Sequence, residues 1–472
     1  MSERGELKEA IMKEIAKRLL SLVIVLACFL SLCLPALADG EVQAQDEGTT
    51  QTQDETSEES TGGLLDQAAL AALKNYTYDD YLSGHADAAH PQTEISLPYD
   101  EHLEFDENLN IVENKLPYAE FTDEYFDITQ MAVISDEETL IGWRFNVEEA
   151  GLYSIKINYY NFAEYTDPET GVTYSSRSSS IAKRVYIDGE IPFYEARQFY
   201  ITRNWMDQNE IVRDSVTDND IRPFQQEMSI WQTQAVKDHM GYYSSPLQFY
   251  LSEGEHTIMF EPVRESCAIA EVIIYNDEEV LSYEELKAQY EAAGYEPVSA
   301  TDNTPIDPKA PNESNDENYI YIEAEKPSLK SSPTMYGVTD RSSPLTYPYH
   351  PSKIRLNTIG GDKWQNAGEW IEWSFTVKNA GLYRISFKSR QNLVSNSFTS
   401  RQILLDGEEI CQETNAVEFN YSSDWNLVTL GNGEEDYLFY LSEGEHTIRM
   451  VAILGEVGEI LKEAENIISE YN

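Results

Sequence analysis

The chain has 472 residues, with 84 acidic side chains against 33 basic ones and a formal net charge of −51. That surplus repels polyanions, which excludes nucleic acid and anionic membrane surfaces as partners. The length leaves room for two to four domains.

Read in chain order, Arg4, Lys8, Lys13, Lys17 and Arg18 precede an apolar run over residues 19–34 and then Pro35-Ala36-Leu37-Ala38. A basic region, a hydrophobic core and a small-x-small end predict a secretory signal over residues 1–38 and an exported, extracellular or cell-surface protein. Residues 39–77 are mainly acidic and polar and predict a disordered tether. Cys28 and Cys33 fall in the signal, so Cys267 and Cys411 remain and are expected to be buried free thiols.

From residue 95 the pattern changes to short runs of alternating apolar and polar residues between Gly, Asp and Pro turns. These predict antiparallel strands in a sandwich or jelly roll. Residues 249–258 and 439–448 both read FYLSEGEHTI, an offset of 190. Trp143 and Trp373 open a second shared stretch at an offset of 230, and Asp188-Gly189-Glu190 matches Asp406-Gly407-Glu408 at 218. Landmarks repeating in one order predict two copies of one all-β unit, and the falling offsets place 12 and then 28 extra residues in the first copy. The predicted organisation is a first sandwich over 78–296, a linker over 297–317, a second sandwich over 318–455, and a helix over 456–472 that reads as the start of a further domain. A short connecting helix is predicted over 282–294, with a Ser start and a Gly stop.

No G-x-S-x-G, H-E-x-x-H, Walker loop or C-x-x-C occurs, and the seven histidines lack metal spacing, so the chain is not expected to be an enzyme. The larger insertion of the first copy carries Arg203, Trp205, Asp207, Arg222, Trp231 and Tyr242. Aromatic faces stack on the C–H faces of sugar rings, and Arg and Asp pair with hydroxyls, so these are candidate saccharide ligands. Packing of Trp205 and Trp231 against the sheet is the competing reading. The second copy offers Arg341, Arg355, Asn357, Trp364, Arg390, Tyr421, Asp424 and Trp425 as the corresponding set. Glu323 and Glu325 flank Ala324 on a predicted opening strand, and two carboxylates on one face suggest a structural calcium site.

The stretches YIEAE (321–325), GEWIEW (368–373), AGLY (380–383), Leu405-Asp406-Gly407 and GEHTI (444–448) resemble carbohydrate-binding modules of families 6 and 35. The resemblance implies a calcium-stabilised β-jelly roll that binds sugar in end loops or on a concave face. Residues 340–344, 352–361, 218–223 and the final helix make the tandem similar to the N-terminal part of extracellular solute-binding proteins of Gram-positive sugar ABC transporters. That likeness implies an oligo- or polysaccharide ligand and a permease partner reached through a domain that the sequence does not contain. Reading the rest as a cell-surface spacer, or as an accessory region of a glycoside hydrolase, is the alternative. The first copy lacks a Glu-x-Glu opening strand, and the second runs into a helix where the families have an Asp-bearing last strand.

Overall fold

The computed structural model describes residues 70–470 except 71, 303, 308 and 309, so the predicted signal and most of the acidic tether lie outside the described residues. Strands dominate them, as the alternating pattern requires, and they form two β-sandwiches.

In the first sandwich, one sheet runs in the order Phe199–Ile201, Ile181–Ile187, Gly254–Arg264, Leu140–Val147, Leu103–Phe105 and Ile111–Val112. The facing sheet centres on Gly151–Tyr160 and Cys267–Tyr275. Trp143, Val185 and Phe260 from one sheet meet Ile155, Ile157 and Val272 from the other in a single core. The side chains between them point to the outer faces, which is the two-residue period of the pleat. The first insertion explains the other side of the second sheet. Its hairpin, Glu164–Thr166 with Thr173–Ser175, brings Tyr165 and Tyr174 over an outer layer of Phe121, Ile134, Tyr160, Phe162 and Trp231. Cys267 and Cys411 are both buried and unbridged.

The second sandwich repeats the central registers. Gly444 lies opposite Val377 where Gly254 lies opposite Val147, and the long hairpin strand pairs on its other side with Phe398–Leu405, as its counterpart does with Ile181–Ile187. Its second layer is split into Gly381–Arg384 with Leu438–Leu441 and Ser386–Ser389 with Asn426–Thr429. Where the first sandwich continues into Cys267–Tyr275, the second continues into a helix, Glu456–Glu470.

Four features depart from the sequence-based organisation. First, residues 319–325 form no ladder strand; the segment is held by Trp373, whose Nε1 donates to the Ala324 carbonyl at 2.9 Å. Second, helix α1, Tyr78–Gly84, and helix α2, Tyr283–Ala293, are equivalent, and each belongs to the sandwich that follows it. Both start with a capping box, Thr77 with Asp80 and Ser282 with Glu285. The hydroxyls of Tyr78 and Tyr283 each accept the edge N–H of a corresponding strand, Gln248 and Leu438, at 2.8 Å. Tyr283 packs with Cys411, Leu430, Tyr437 and Phe439, so residues 282–296 are part of the second unit by contact. Third, helix α3, Glu456–Glu470, docks back on the first unit: Lys462 Nζ lies 2.5 Å from Asp79 Oδ2 of α1 and donates to the Tyr243 hydroxyl at 3.0 Å.

The largest departure is the second insertion. Asn204–Asp207 and Gln225–Met228 pair as a hairpin, and Trp205 bridges to Lys330 at the edge of the second sandwich's sheet. The insertion of one unit thus lengthens the sheet of the other. Met206, Met228 and Ile230 close on Leu329, Trp370 and Val451 along this seam.

His239, in the turn after the Trp231–Ala235 strand, is mostly buried, and desolvation, with the Arg197 charge, lowers its pKa to about 4 against a weaker pull from Asp238. The unfolded chain takes up this proton first, near pH ~6.5. Stability from keeping His239 neutral is therefore full above ~6.5 and is lost as pH falls toward about 4. Thermal melts of His239→Gln across that window are expected to show a shallower loss than wild type; an equal slope would mean that His239 titrates normally.

Candidate functional site

The repeated FYLSEGEHTI hairpins place a serine, a histidine and an aspartate together twice. His256 Nδ1 lies 2.7 Å from Asp188 Oδ2, and Nε2 lies 3.1 Å from Ser252 Oγ and 2.9 Å from the Ser252 carbonyl. In the second copy the corresponding distances from His446 to Asp406 and Ser442 are 2.6, 3.2 and 3.0 Å. Each serine carbonyl lies as close to Nε2 as the hydroxyl does, so the ring braces the turn through backbone and side chain together. The aspartates also accept the Thr257 and Thr447 backbone N–H groups, and both sit at left-handed φ (52° and 54°) ahead of Gly189 and Gly407. These constellations pin two hairpins together.

A different cluster is built on the second sandwich. Lys388 faces Leu427 across the Ser386–Ser389 and Asn426–Thr429 pair, and both are exposed, whereas their neighbours Phe387 and Val428 turn into the core. Continuing that register by one period puts Arg390 and Trp425 on the same outward face. The loop after residue 339 folds over this face. Asp340 Oδ2 lies 2.6 Å from Arg390 Nη2 and accepts Trp425 Nε1 at 3.1 Å, and the guanidinium stands 5.0 Å from the Trp425 ring centre. Arg390 also donates to Ser342 Oγ, and the Lys388 ammonium to the Leu345 carbonyl. Burial disfavours an ionised Asp340, but hydrogen bonds from Ser342 and the pull of Arg390 and Trp425 outweigh it and hold the carboxyl below its ordinary range. Asn357 keeps the loop in place: its amide donates to the Asp340 and Pro348 carbonyls at 2.9 Å each, and its Oδ1 accepts the Asp340 N–H at 2.8 Å. Arg341 and Asp424 are exposed, and Tyr421 borders a 310 Å³ hollow with Asn396, Ser397, Phe398 and Asn420.

The site residues expected from sequence therefore divide. Arg341, Arg390, Tyr421, Asp424 and Trp425 lie in this loop cluster or along the loops that frame it, with Asn357 as a buried brace. The first-unit set does not converge on an open surface. Arg203 is 3% exposed and is engaged by the Ser179 carbonyl and Glu227, each at 2.6 Å. Trp231 is 6% exposed, donates to the Phe121 carbonyl and tilts against Tyr160, so it has no face left for a sugar. Trp205 is a ladder residue of the seam, and Asp207 pairs with the fully buried Lys330 at 2.6 Å. Arg222 lies over the Tyr336 ring at 3.7 Å, and Tyr242 is half-buried, with its backbone N–H on Asp238. In the second unit, Arg355 is buried on Asp218 and Asp220, and Trp364 is covered by Arg401 at 4.3 Å. Burial by neighbouring protein takes Arg203, Trp231 and Arg355 out of the candidate set, whereas Trp205, Asp207, Tyr242 and Trp364 are half-buried and Arg222 is exposed. Asp340, the hub of the cluster, opens the Asp340-Arg341-Ser342-Ser343-Pro344 stretch, three residues before a Ser-Pro turn.

Glu323 and Glu325 line a second hollow, of 340 Å³, at the seam with Arg213, Asp220, Asn312 and Tyr347. Glu323 is paired with Lys326, whereas Glu325 is buried with Oε1 unpartnered, and burial pushes its carboxyl up to about 8. An unpaired buried carboxylate oxygen is a donor that a hard cation satisfies. Among the described residues no three His, Cys, Asp or Glu side chains gather as a metal-holding group, so carbonyl or water oxygens would have to complete the shell.

Solved structures resemble parts of this chain at low similarity. A family 35 carbohydrate-binding module from Clostridium thermocellum is 8% identical, covering 39% of this chain and 99% of its own, with a TM-score of 0.20. The C-terminal family 6 module of a marine laminarinase from Zobellia galactanivorans is 8% identical over 39% of this chain and 100% of its own, with a TM-score of 0.19. An exo-β-1,3-galactanase from Phanerochaete chrysosporium, solved with galactose, is 10% identical over 39% of this chain and 29% of its own, with a TM-score of 0.20. No family model matches the chain, and no curated protein does.

Proposed function

We propose that this chain is a non-catalytic carbohydrate-binding protein whose second sandwich holds the sugar on the face around Trp425. The observation that supports this is the Trp425–Arg390–Asp340 cluster: an indole held by its own N–H and flanked by a guanidinium 5.0 Å from its ring centre, on an outward sheet face. An aromatic ring fixed in orientation loses little entropy on stacking against a pyranose, and Asp340, Arg341 and Tyr421 supply acceptors and donors for hydroxyls. The first sandwich serves as a support, because its insertion is consumed in the seam. Export by the signal, and service to a sugar-uptake system whose permease meets a further domain, belong to the same reading.

Native affinity electrophoresis of the full chain in gels containing soluble arabinogalactan, laminarin, glucomannan or xyloglucan tests it. Retardation by at least one polysaccharide is expected. Mobility unchanged in all four would count against sugar binding.

Calcium at Glu323 and Glu325 is part of the proposal, supported by the unpartnered Glu325 oxygen. Bound there, calcium would supply positive charge to a buried carboxylate and tie the opening segment down. Added calcium is expected to raise the melting temperature of the full chain, and Glu325→Gln to abolish the rise. A wild-type melt insensitive to both calcium and chelator would remove the metal from this account.

A further inference from the structure

The second insertion of the first sandwich reaches past the seam to the strip that carries the sugar-binding loop. Its residues 218–220 hold residues 354–356 of the second sandwich by backbone and side chain together. Asn219 Oδ1 accepts the Ile354 N–H at 2.8 Å, and the Asp220 N–H donates to the Ile354 carbonyl at 3.1 Å. Asp220 Oδ2 accepts the Leu356 N–H at 3.1 Å. The Arg355 guanidinium lies 3.0 Å from Asp218 Oδ2 and 3.5 Å from Asp220 Oδ1 and donates to the Asp218 carbonyl. Arg355 is 6% exposed and the Asp220 side chain is equally buried, so that pair forms largely out of water, where it is worth more and tolerates less displacement, while Asp218 meets the guanidinium from the half-exposed side. The very next side chain in this strip beyond Leu356 is Asn357, which clamps both backbone groups of Asp340. Asp340 in turn holds Arg390 and the Trp425 indole.

We propose that the first sandwich positions the sugar site of the second: Asp218, Asp220 and Arg355 fix residues 354–357, and through Asn357 they fix the Asp340 loop against Trp425. They are positioning residues, since they touch neither the indole nor the face around it. The effect on sugar affinity rests on the reading of Trp425 as the sugar site; the effect on loop order does not. The consequence is that two sandwiches make one binding site. A short edge ladder alone would tether the units, but it does not call for two aspartates spent on a buried arginine beside the loop brace.

The test uses the full chain with Arg355→Met, Asp218→Asn with Asp220→Asn, and Arg355→Lys, each followed by amide hydrogen exchange and by affinity electrophoresis in soluble arabinogalactan, laminarin, glucomannan and xyloglucan. In the first two variants, amides of residues 340–347 are expected to exchange faster while the Gly444–Ile453 strand stays as protected as in wild type. Arg355→Lys, which keeps the charge, is expected to recover part of that protection and is the variant to read should the methionine variant unfold. Affinity for whichever polysaccharide retards wild type is expected to fall about tenfold without a matching fall in melting temperature. Unchanged exchange at residues 340–347 overturns the proposal whatever the sugar result. Faster exchange with unchanged affinity for a retarding polysaccharide overturns it as well. Faster exchange in a protein that no polysaccharide retards would leave the positioning intact and remove the sugar reading.

Discussion

Replacing Asp207 with alanine is expected to cost about 3–5 kcal/mol of stability, because it leaves a buried lysine without its counter-charge. Lys330 is fully buried, donates to Asp207 Oδ1 at 2.6 Å, and sits in the two-residue strand on which the first unit's hairpin pairs. Desolvation already lowers the pKa of its ammonium, and Asp207 opposes that. Without the carboxylate the amine must lose its proton or the seam must open to water. Lys330→Met together with Asp207→Ala removes both charges and is expected to recover most of the loss, since a well-packed apolar pair costs little in such a place. Chemical denaturation of the two single variants and the double variant reads this directly. A single Asp207→Ala variant within about 1 kcal/mol of wild type, the range of an exposed pair, would mean that the seam is solvated.

The second large effect is on binding. Trp425→Ala is expected to weaken polysaccharide affinity by about 30-fold or more, the scale of an anchor residue near 2 kcal/mol. Losing the ring removes the stacking surface and also frees the Asp340 oxygen and the Arg390 guanidinium that it orders. Trp425 is half-buried on a surface face, so the melting temperature is expected to change little. A retained affinity in Trp425→Ala, measured by gel retardation against polysaccharide concentration, would move the site elsewhere.

How far the sequence could be read depends on the range of the interaction. The repeat carried the strand registers faithfully, because a hairpin glycine opposite a valine is local chemistry and recurs at Gly254 with Val147 and Gly444 with Val377. Ownership of an element is a different matter. Helix α2 looks like a connector by its position, and the Leu438 N–H on the Tyr283 hydroxyl, with Tyr283 packed against Tyr437 and Phe439, assigns it to the second sandwich; the parallel Thr77-Tyr78 and Ser282-Tyr283 starts are the legible clue. The Trp-rich insertion was found by measuring offsets, yet its role was not legible. Asp207 and Lys330 are 123 residues apart, and no periodicity in residues 204–228 says whose sheet they join. Aromatic side chains also serve packing and stacking with the same ring. Trp231 packs in the outer layer beside Phe121 and Tyr160, whereas Trp425 stays half-buried on an outward face.

Affinity electrophoresis of wild type, Trp425→Ala and Trp205→Ala on one set of polysaccharide gels tests the central claim most directly. The account predicts that wild type is retarded, that Trp205→Ala remains retarded as long as it is folded, and that Trp425→Ala migrates as it does without sugar. Retardation that survives in Trp425→Ala and disappears in a folded Trp205→Ala would contradict it and return the binding site to the insertion.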